Sequence, residues 1–259
     1  MDLGIAGRKA IVCASSRGLA RACAEALAEA GCEVVINGRN PETLKATAAE
    51  IAKASGAKIT PVAADVTTPE GQEALLAACP EPDILVNNAD GPPLKDFREI
   101  DRAAMLAGVT ANMITPLEMI QRIAPGMMAR GFGRIVNITS ASVKTPLIGL
   151  DLSSGARAGL TAFLGGVARE IAGKNVTINN ILPGTFDTDR FTNSVKRVAA
   201  LKNMTPEEAR AMRVAGVPAG RIGSPHEFGQ LCAFLCSTQA GYLVGQNFVI
   251  DGGAFASNF

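Results

Sequence analysis

Short runs of β-branched and other apolar residues recur along the chain, each followed by a helical pattern, and few architectures accommodate that alternation. The runs are "KAIVCA", "EVVING", "KITPVAAD", "DILVNNA", "RIVNIT", "NVTINNILPG" and "NFVIDGG". Between the first two, "LARACAEALAEAG" has helical spacing and closes on Gly31 as a cap; Pro41 then opens a helix to about Ser55. "PEGQEALLAA" predicts a third helix, and longer ones are expected over about 103–128 and 151–172. Strands that are apolar throughout, rather than on alternate residues, are those buried on both faces. Helices alternating with such strands predict an α/β chain with a parallel sheet covered on both sides. No repeat, linker or compositional break divides it, so 1–259 is expected to form a single domain. The one long irregular interval, about 186–221, is charged and of helical character. Insertions of that size at the carboxyl edge of a parallel sheet often serve as substrate lids.

A chain of 259 residues can bury a large core, and with few aromatics it must do so by close approach of small residues. The net charge of +1 gives no reason to expect nucleic acid or an anionic membrane as a partner. No apolar run is long enough to cross a bilayer without a charge or turn residue. "MDLGIAGRKAIVCASS" lacks the basic and apolar regions of an export signal, so a cytoplasmic protein is expected. Cys13, Cys23, Cys32, Cys79, Cys232 and Cys236 lack metal-ligand spacing and are expected as buried free thiols, with no metal site. His226, the lone histidine, begins the last helix and is expected to be structural and far from the strand ends.

Sheets of this kind bind ligands outside the carboxyl ends of their strands, where the strand order reverses. The first strand-to-helix turn, "CASSRGLA", offers backbone amides and a helix N-terminus suited to a pyrophosphate. Only Gly18 remains of the usual glycines, with Ala14 and Ala20 in the other two places, so the turn alone is equally an ordinary connection. Together with "AADVT", "ILVNNA", "GRIVNITS", "INNILPGTFDT" and "GQNFVIDGG", in that order and spacing, the chain resembles the short-chain dehydrogenase/reductase family. It is most similar to the bacterial 3-oxoacyl-carrier-protein reductase branch, over essentially its whole length. The resemblance implies a doubly wound, seven-stranded Rossmann sheet, a nicotinamide dinucleotide and a tetramer built on the long helices. By position it gives the pyrophosphate to Ser15, Ser16, Arg17, Gly18 and Leu19, and the adenine to Asp65 and Val66. Asn87 and Ala89 would lie along the adenosine ribose, and Pro183, Gly184 and Thr188 at the nicotinamide end. NAD-specific members carry an acid at the end of the second strand, where this chain has Gly38 followed by Arg39. With Arg17 nearby, two guanidinium groups and no carboxylate favour a 2′-phosphate, hence NADP(H); solvated surface arginines are the alternative.

The family works with a Ser, a Tyr and a Lys, with an Asn on the preceding helix. Ser140 and Asn112 match the serine and the asparagine. Thirteen residues beyond Ser140, the tyrosine position holds Ser153; four further on, the lysine position holds Arg157. The sole tyrosine, Tyr242, lies elsewhere. A serine hydroxyl can donate a hydrogen bond to a developing alkoxide but is a poorer proton source than a phenol whose pKa a lysine lowers. Arg157 cannot deprotonate usefully, yet it can clamp the nicotinamide ribose and supply a fixed charge. Asp90, in "NNAD", stands where the family has glycine; it is either a substitute acid near the nicotinamide or a tolerated loop residue. Asp151 and Lys144 are remoter candidates for the same role.

Three functions are compatible with these residues. The first is a divergent NADP(H)-dependent reductase of a small-molecule or carrier-bound carbonyl, with Ser140, Ser153, Arg157 and Asn112 as its catalytic group. A variant reduces a conjugated C=C bond, since dienoyl-coenzyme A reductases of the family also place serine at the tyrosine position, though they keep the lysine. The third is a catalytically silent dinucleotide-binding sensor or partner subunit. In the lid interval, Lys196, Arg197, Lys202, Arg210 and Arg213 would either meet a phosphorylated carrier or form a solvated helix face with Glu207 and Glu208. The alanine- and glycine-rich faces of the two long helices favour a homo-oligomer, a tetramer or dimer.

Overall fold

The computed structural model describes residues 2–257; Met1, Asn258 and Phe259 of the expected domain lie outside the described residues. Seven parallel strands form one sheet: β1 (Lys9–Val12), β2 (Glu33–Gly38), β3 (Ile59–Ala63), β4 (Ile84–Asn87), β5 (Gly133–Ile138), β6 (Val176–Pro183) and β7 (Asn247–Ile250). Their order is β3-β2-β1-β4-β5-β6-β7, so the winding reverses between β1 and β4, the expected crevice for a ligand.

Successive residues of each strand enter different cores. Ala10, Val12, Val34, Ile36, Ile84 and Val86 pack under α1 (Gly18–Glu29), α2 (Pro41–Ser55) and α9 (Pro225–Cys236). Ile11, Val35, Leu85, Ile135 and Ile178 face α3 (Pro69–Ala78), α5 (Thr115–Arg130) and α6 (Asp151–Ile171). Where the side chains are small the layers come close: a β-carbon on Gly229 of α9 would fall 2.3 Å from the carbonyl oxygen of Ala22 in α1. The six cysteines are free and buried, as expected.

The long helix expected over 103–128 runs from Arg102 to Arg130 in three parts. α4 (Arg102–Val109) passes into a π-helical turn, Thr110–Ile114, and then into α5. The extra residue of that turn rotates Asn112 into the protein, where it is buried. Among the described residues this is the one helix long and apolar enough to cross a bilayer, but Met119, Ile120, Ile123 and Met127 are buried against the sheet. The interval 186–221 forms α7 (Asp189–Lys202) and α8 (Pro206–Ala215), with a small core of its own from Phe191, Val195, Ala199 and Ala209. Its two ends are pinched together where Asp187 N donates to Gly223 O and Gly223 N to Thr185 O.

One cation is buried in the frame itself. Arg134 of β5 donates to the carbonyls of Ser237, Gly133 and Asn175, and its guanidinium shares the Phe132 ring with Arg8. The α1–α9 contact gives a test of packing. Gly229→Ala is expected to lower the free energy of unfolding in urea by about 1–3 kcal/mol, because the added methyl meets backbone that cannot rotate away.

Candidate active site

The turn after β1 is shaped from within. Ser15, fully buried, donates its hydroxyl to Val12 O at 2.7 Å and accepts from Asn37 N at 3.1 Å. Ser15 therefore holds the turn against β2 instead of facing a ligand. Ala14 sits at φ +46°, a left-handed conformation usually left to glycine, and Gly18 at φ +64°. A β-carbon on Gly18 would meet nothing within 4 Å, so the space over the turn is open. α1 begins at Arg17 without a side-chain cap, whereas α2, α3, α4, α7, α8 and α9 are capped by Asn40, Thr68, Asp101, Thr188, Thr205 and Ser224. Uncapped amides beside an open turn at the strand-order reversal suit a pyrophosphate.

Gly38 has a structural reason of its own: a β-carbon there would lie 3.1 Å from both Cβ and Oγ of Ser16. Arg39 is paired with Asp90. The pair reaches from β2 to the β4 loop, over the end of β1, and both side chains are largely exposed. Asp90, expected either as a substitute acid near the nicotinamide or as a tolerated loop residue, has its carboxylate held by Arg39. Asp65 accepts from Thr67 Oγ1 and N at 2.7 and 2.9 Å, and those bonds, with Arg39 nearby, hold its pKa below the usual carboxylate range. Lys144 and Asp151 are exposed and do not line the cavity described next.

Beyond β4 and β5 a cavity is lined by Val66, Asn87, Ala89, Asn112, Ile138 and Arg157, among others. Arg157 is buried, and its Nε donates to Ser153 Oγ at 3.1 Å while Nη1 donates to the Ile138 carbonyl at 2.5 Å. Burial, with a smaller contribution from Arg190, lowers its pKa to about 10, so it stays charged at neutral pH. Ser153 is buried with it. Ser140 stands apart: its Oγ accepts from Ser142 N at 3.1 Å and caps a short 3₁₀ turn. Asn112 donates to Gly108 O, and its buried Oδ1 has no partner. Pro183 ends β6, Gly184 N donates to Ile250 O, and Thr188 accepts from Phe191 N at the start of α7. His226 is exposed on the first turn of α9 beside Gln230, while Glu227, next to it, lines a separate cavity with Ile250 and Thr185.

Sequence reasoning missed a row of amides beneath the site. Asn87 Nδ2 donates to Asn137 Oδ1, Asn137 Nδ2 to Asn180 Oδ1, and Asn180 Nδ2 to Asn247 Oδ1, each at 2.9 Å. These are register partners on β4, β5, β6 and β7. The signal was present as an asparagine near the end of "ILVNNA", in "RIVNIT" and "INNILPG", and at the start of "NFVIDGG". Asn137→Ala is expected to cost about 2–3 kcal/mol in urea unfolding, since it leaves one buried donor and one acceptor unpaired.

Three comparisons bear on this geometry. A family model described as enoyl-(acyl carrier protein) reductase matches residues 13–254. The 3-oxoacyl-[acyl-carrier-protein] reductase FabG of Aquifex aeolicus is 32% identical over 98% of this chain and 100% of its own length. L-sorbose reductase from Gluconobacter frateurii, solved with NADPH and L-sorbose, superposes with a TM-score of 0.94 at 29% identity, covering 99% of this chain and 100% of that one. A 3-oxoacyl (acyl-carrier-protein) reductase from Agrobacterium tumefaciens C58 with NADP bound gives 0.87 at 30% identity, over 97% and 95%.

Proposed function

The chain belongs to the short-chain dehydrogenase/reductase family, and on that premise we propose that it is an NADP(H)-dependent reductase of a carbonyl substrate, of 3-oxoacyl type, working through an atypical active site. The observation that carries the reading is the buried Arg157–Ser153 hydrogen bond at the edge of the cavity. When bound, the dinucleotide would supply the hydride. The amides of Ser16, Arg17, Gly18 and Leu19 would hold its pyrophosphate, with Ser15 fixing the turn. Asp65, Val66, Asn87 and Ala89 line the adenosine side, and Pro183, Gly184 and Thr188 the nicotinamide side.

The reaction adds one hydride and one proton across C=O. Because Arg157 donates into Ser153 Oγ, the serine's remaining O–H is polarised and becomes a better donor to oxygen as negative charge develops there. Ser140 supplies a second hydroxyl. Asn112 Oδ1, lacking a partner, accepts from a water that returns the proton. Arg157 keeps further N–H groups for the nicotinamide ribose, so it is a positioning residue for Ser153 and a clamp at once. The interval 186–221 acts as the lid. The largely exposed Met105 and Leu106 on α4 and Phe163 on α6 fit a homo-oligomer, and the whole reading is that of a cytoplasmic enzyme. A silent dinucleotide-binding protein is the second reading, favoured because Arg157 is the one ionisable side chain lining the cavity.

The cofactor assignment depends on Arg39 leaving Asp90 for the 2′-phosphate, an exchange that an exposed ion pair worth at most about 1 kcal/mol permits. NADPH is expected to bind at least about tenfold more tightly than NADH in fluorescence titrations. Arg39→Asp should erase the difference; equal affinities for the parent would remove the assignment.

For catalysis, Ser153→Ala is expected to lower ketone-dependent NADPH oxidation by roughly 10²–10³-fold, the cost of one lost donor to a developing oxyanion. Its NADPH affinity should be unchanged. A parent that binds NADPH yet oxidises it with no ketone, β-oxoacyl thioester, quinone or enoyl substrate would leave the silent-protein reading.

A further inference from the structure

We propose that Asp90 is a switch between two arginines: when Arg39 turns to the 2′-phosphate of NADP(H), Asp90 is released and pairs with Arg190, latching the lid onto the loop after β4. The inference rests on the reading that Arg39 receives the 2′-phosphate, and goes beyond it to what the released carboxylate does. Both arginines meet this loop at one corner. Arg39, just after β2, holds Asp90. Arg190, the second residue of α7, comes from the lid and lies on Gly91, where a β-carbon would fall 2.8 Å from its Nη1 and 3.1 Å from its Nη2.

Glycine at 91 is not demanded by the backbone, which is not left-handed there. Its use is the approach of Arg190, since a side chain would push the guanidinium off the corner. The loop is also tied to the phosphate turn, where Asn88 Nδ2 donates to Ala14 O at 3.3 Å. The corner therefore stands between the turn and the lid, in contact with both sides through charged groups.

Arg190 is the cation at hand for a released Asp90. One peptide unit separates Asp90 from Gly91, so its α-carbon is no more than about 8 Å from Arg190 Nη1. The Asp90 side chain and the long, exposed Arg190 cover that distance by rotating. Among the described residues Arg190 pairs with no carboxylate: Asp187 is taken by Arg210 at 3.6 Å, and Asp189, adjacent on α7, faces another direction. A pull on Arg190 acts on the whole lid, because α7 starts at the Thr188 cap and packs on α8 through Phe191, Val195, Ala199 and Ala209. An exposed ion pair shifts an equilibrium by up to about fivefold. Here one pair replaces another, so the exchange costs the cofactor little and still moves the lid. NAD(H), with a hydroxyl in place of the phosphate, leaves Arg39 on Asp90 and the lid unlatched.

The test uses the full chain and two fragments that differ only in the 2′-phosphate, adenosine 2′,5′-bisphosphate and 5′-AMP. Both lack the nicotinamide half, and no turnover is needed. At saturation the bisphosphate is expected to slow amide hydrogen exchange across α7 by about three- to fivefold, and 5′-AMP to leave it unchanged. By linkage, Arg190→Met should weaken the bisphosphate by about as much in calorimetric titration, with 5′-AMP unaffected. Adding Asp90→Asn to Arg190→Met should restore the bisphosphate affinity, because Arg39 then has no partner to leave. A bisphosphate that binds more tightly than 5′-AMP while α7 exchange stays unmoved overturns the latch and leaves the Arg39 reading standing. Equal weakening of both ligands by Arg190→Met overturns it too, since the arginine would then act on the 5′-phosphate. Equal affinities of the parent for the two fragments remove the Arg39 reading, and the latch with it.

Discussion

The site depends first on a sheet whose register cannot slip. Apolar strands buried on both faces carry little register information, because a shifted pairing still buries hydrocarbon. The row Asn87, Asn137, Asn180 and Asn247 supplies what they lack. A slip of one residue anywhere between β4 and β7 would leave a buried amide facing a hydrocarbon wall, at about 1–3 kcal/mol for each unpaired group. All the amides point the same way, each donating to the next, so the row works only as a whole. It lies near the carboxyl ends of β4 and β5, where Asn87 and Asn137 line the cavity. The frame and the floor of the site are thus the same side chains.

On this floor the arginines are sorted by what holds them. Arg134 is buried but ringed by carbonyls, so its charge is dispersed over acceptors that ask nothing of a ligand. Arg210 has Asp187 and the Phe191 ring, which locks the lid's small core and accounts for one of the basic residues that a phosphorylated carrier was considered for. Arg39 has Asp90, a pair exposed enough to exchange for a phosphate. Arg157 has no carboxylate at all, only the Ser153 hydroxyl and the Ile138 carbonyl, and it lines the cavity. Thr188 caps α7, which carries Arg190 over Gly91.

The architecture was legible because it is written locally. Apolar runs marked the seven strands, and the N-caps Asn40 and Thr68 precede helices that Pro41 and the helical spacing had signalled. Residues that act through distant partners were not legible. Ser15 reads as a ligand contact in "CASSRG" but is used up by Val12 and Asn37, a strand away. Asp90 was placed by its neighbours in sequence, and its position follows instead from Arg39, 51 residues earlier. The π turn at Asn112 leaves no trace in composition, since one inserted residue hardly disturbs an apolar period over so long a helix. Gly38 carries a second constraint that the sequence did not show: beside the missing acid that pointed to a 2′-phosphate, the Ser16 side chain approaches closely enough to crowd an added β-carbon.

Ser153 and Arg157 are best understood as one unit. A lysine at 157 would end in a single ammonium, able to point its three hydrogens at whatever lay near. An arginine is planar and longer, and here it reaches back to the Ile138 carbonyl while Nε meets Ser153. That meeting needs a short hydroxyl at 153, held close to the helix within reach of Nε. A phenol would carry its oxygen out into the cleft, beyond the guanidinium. Serine in turn gains from arginine what it lacks alone, because a hydroxyl that accepts a charged N–H donates its own hydrogen more strongly. The pair also changes the charge of the site under load. A lysine sharing a proton with an ionising phenol can bring the net charge toward neutral during reaction. Arg157 cannot lose its proton near neutral pH, so the cleft stays positive throughout.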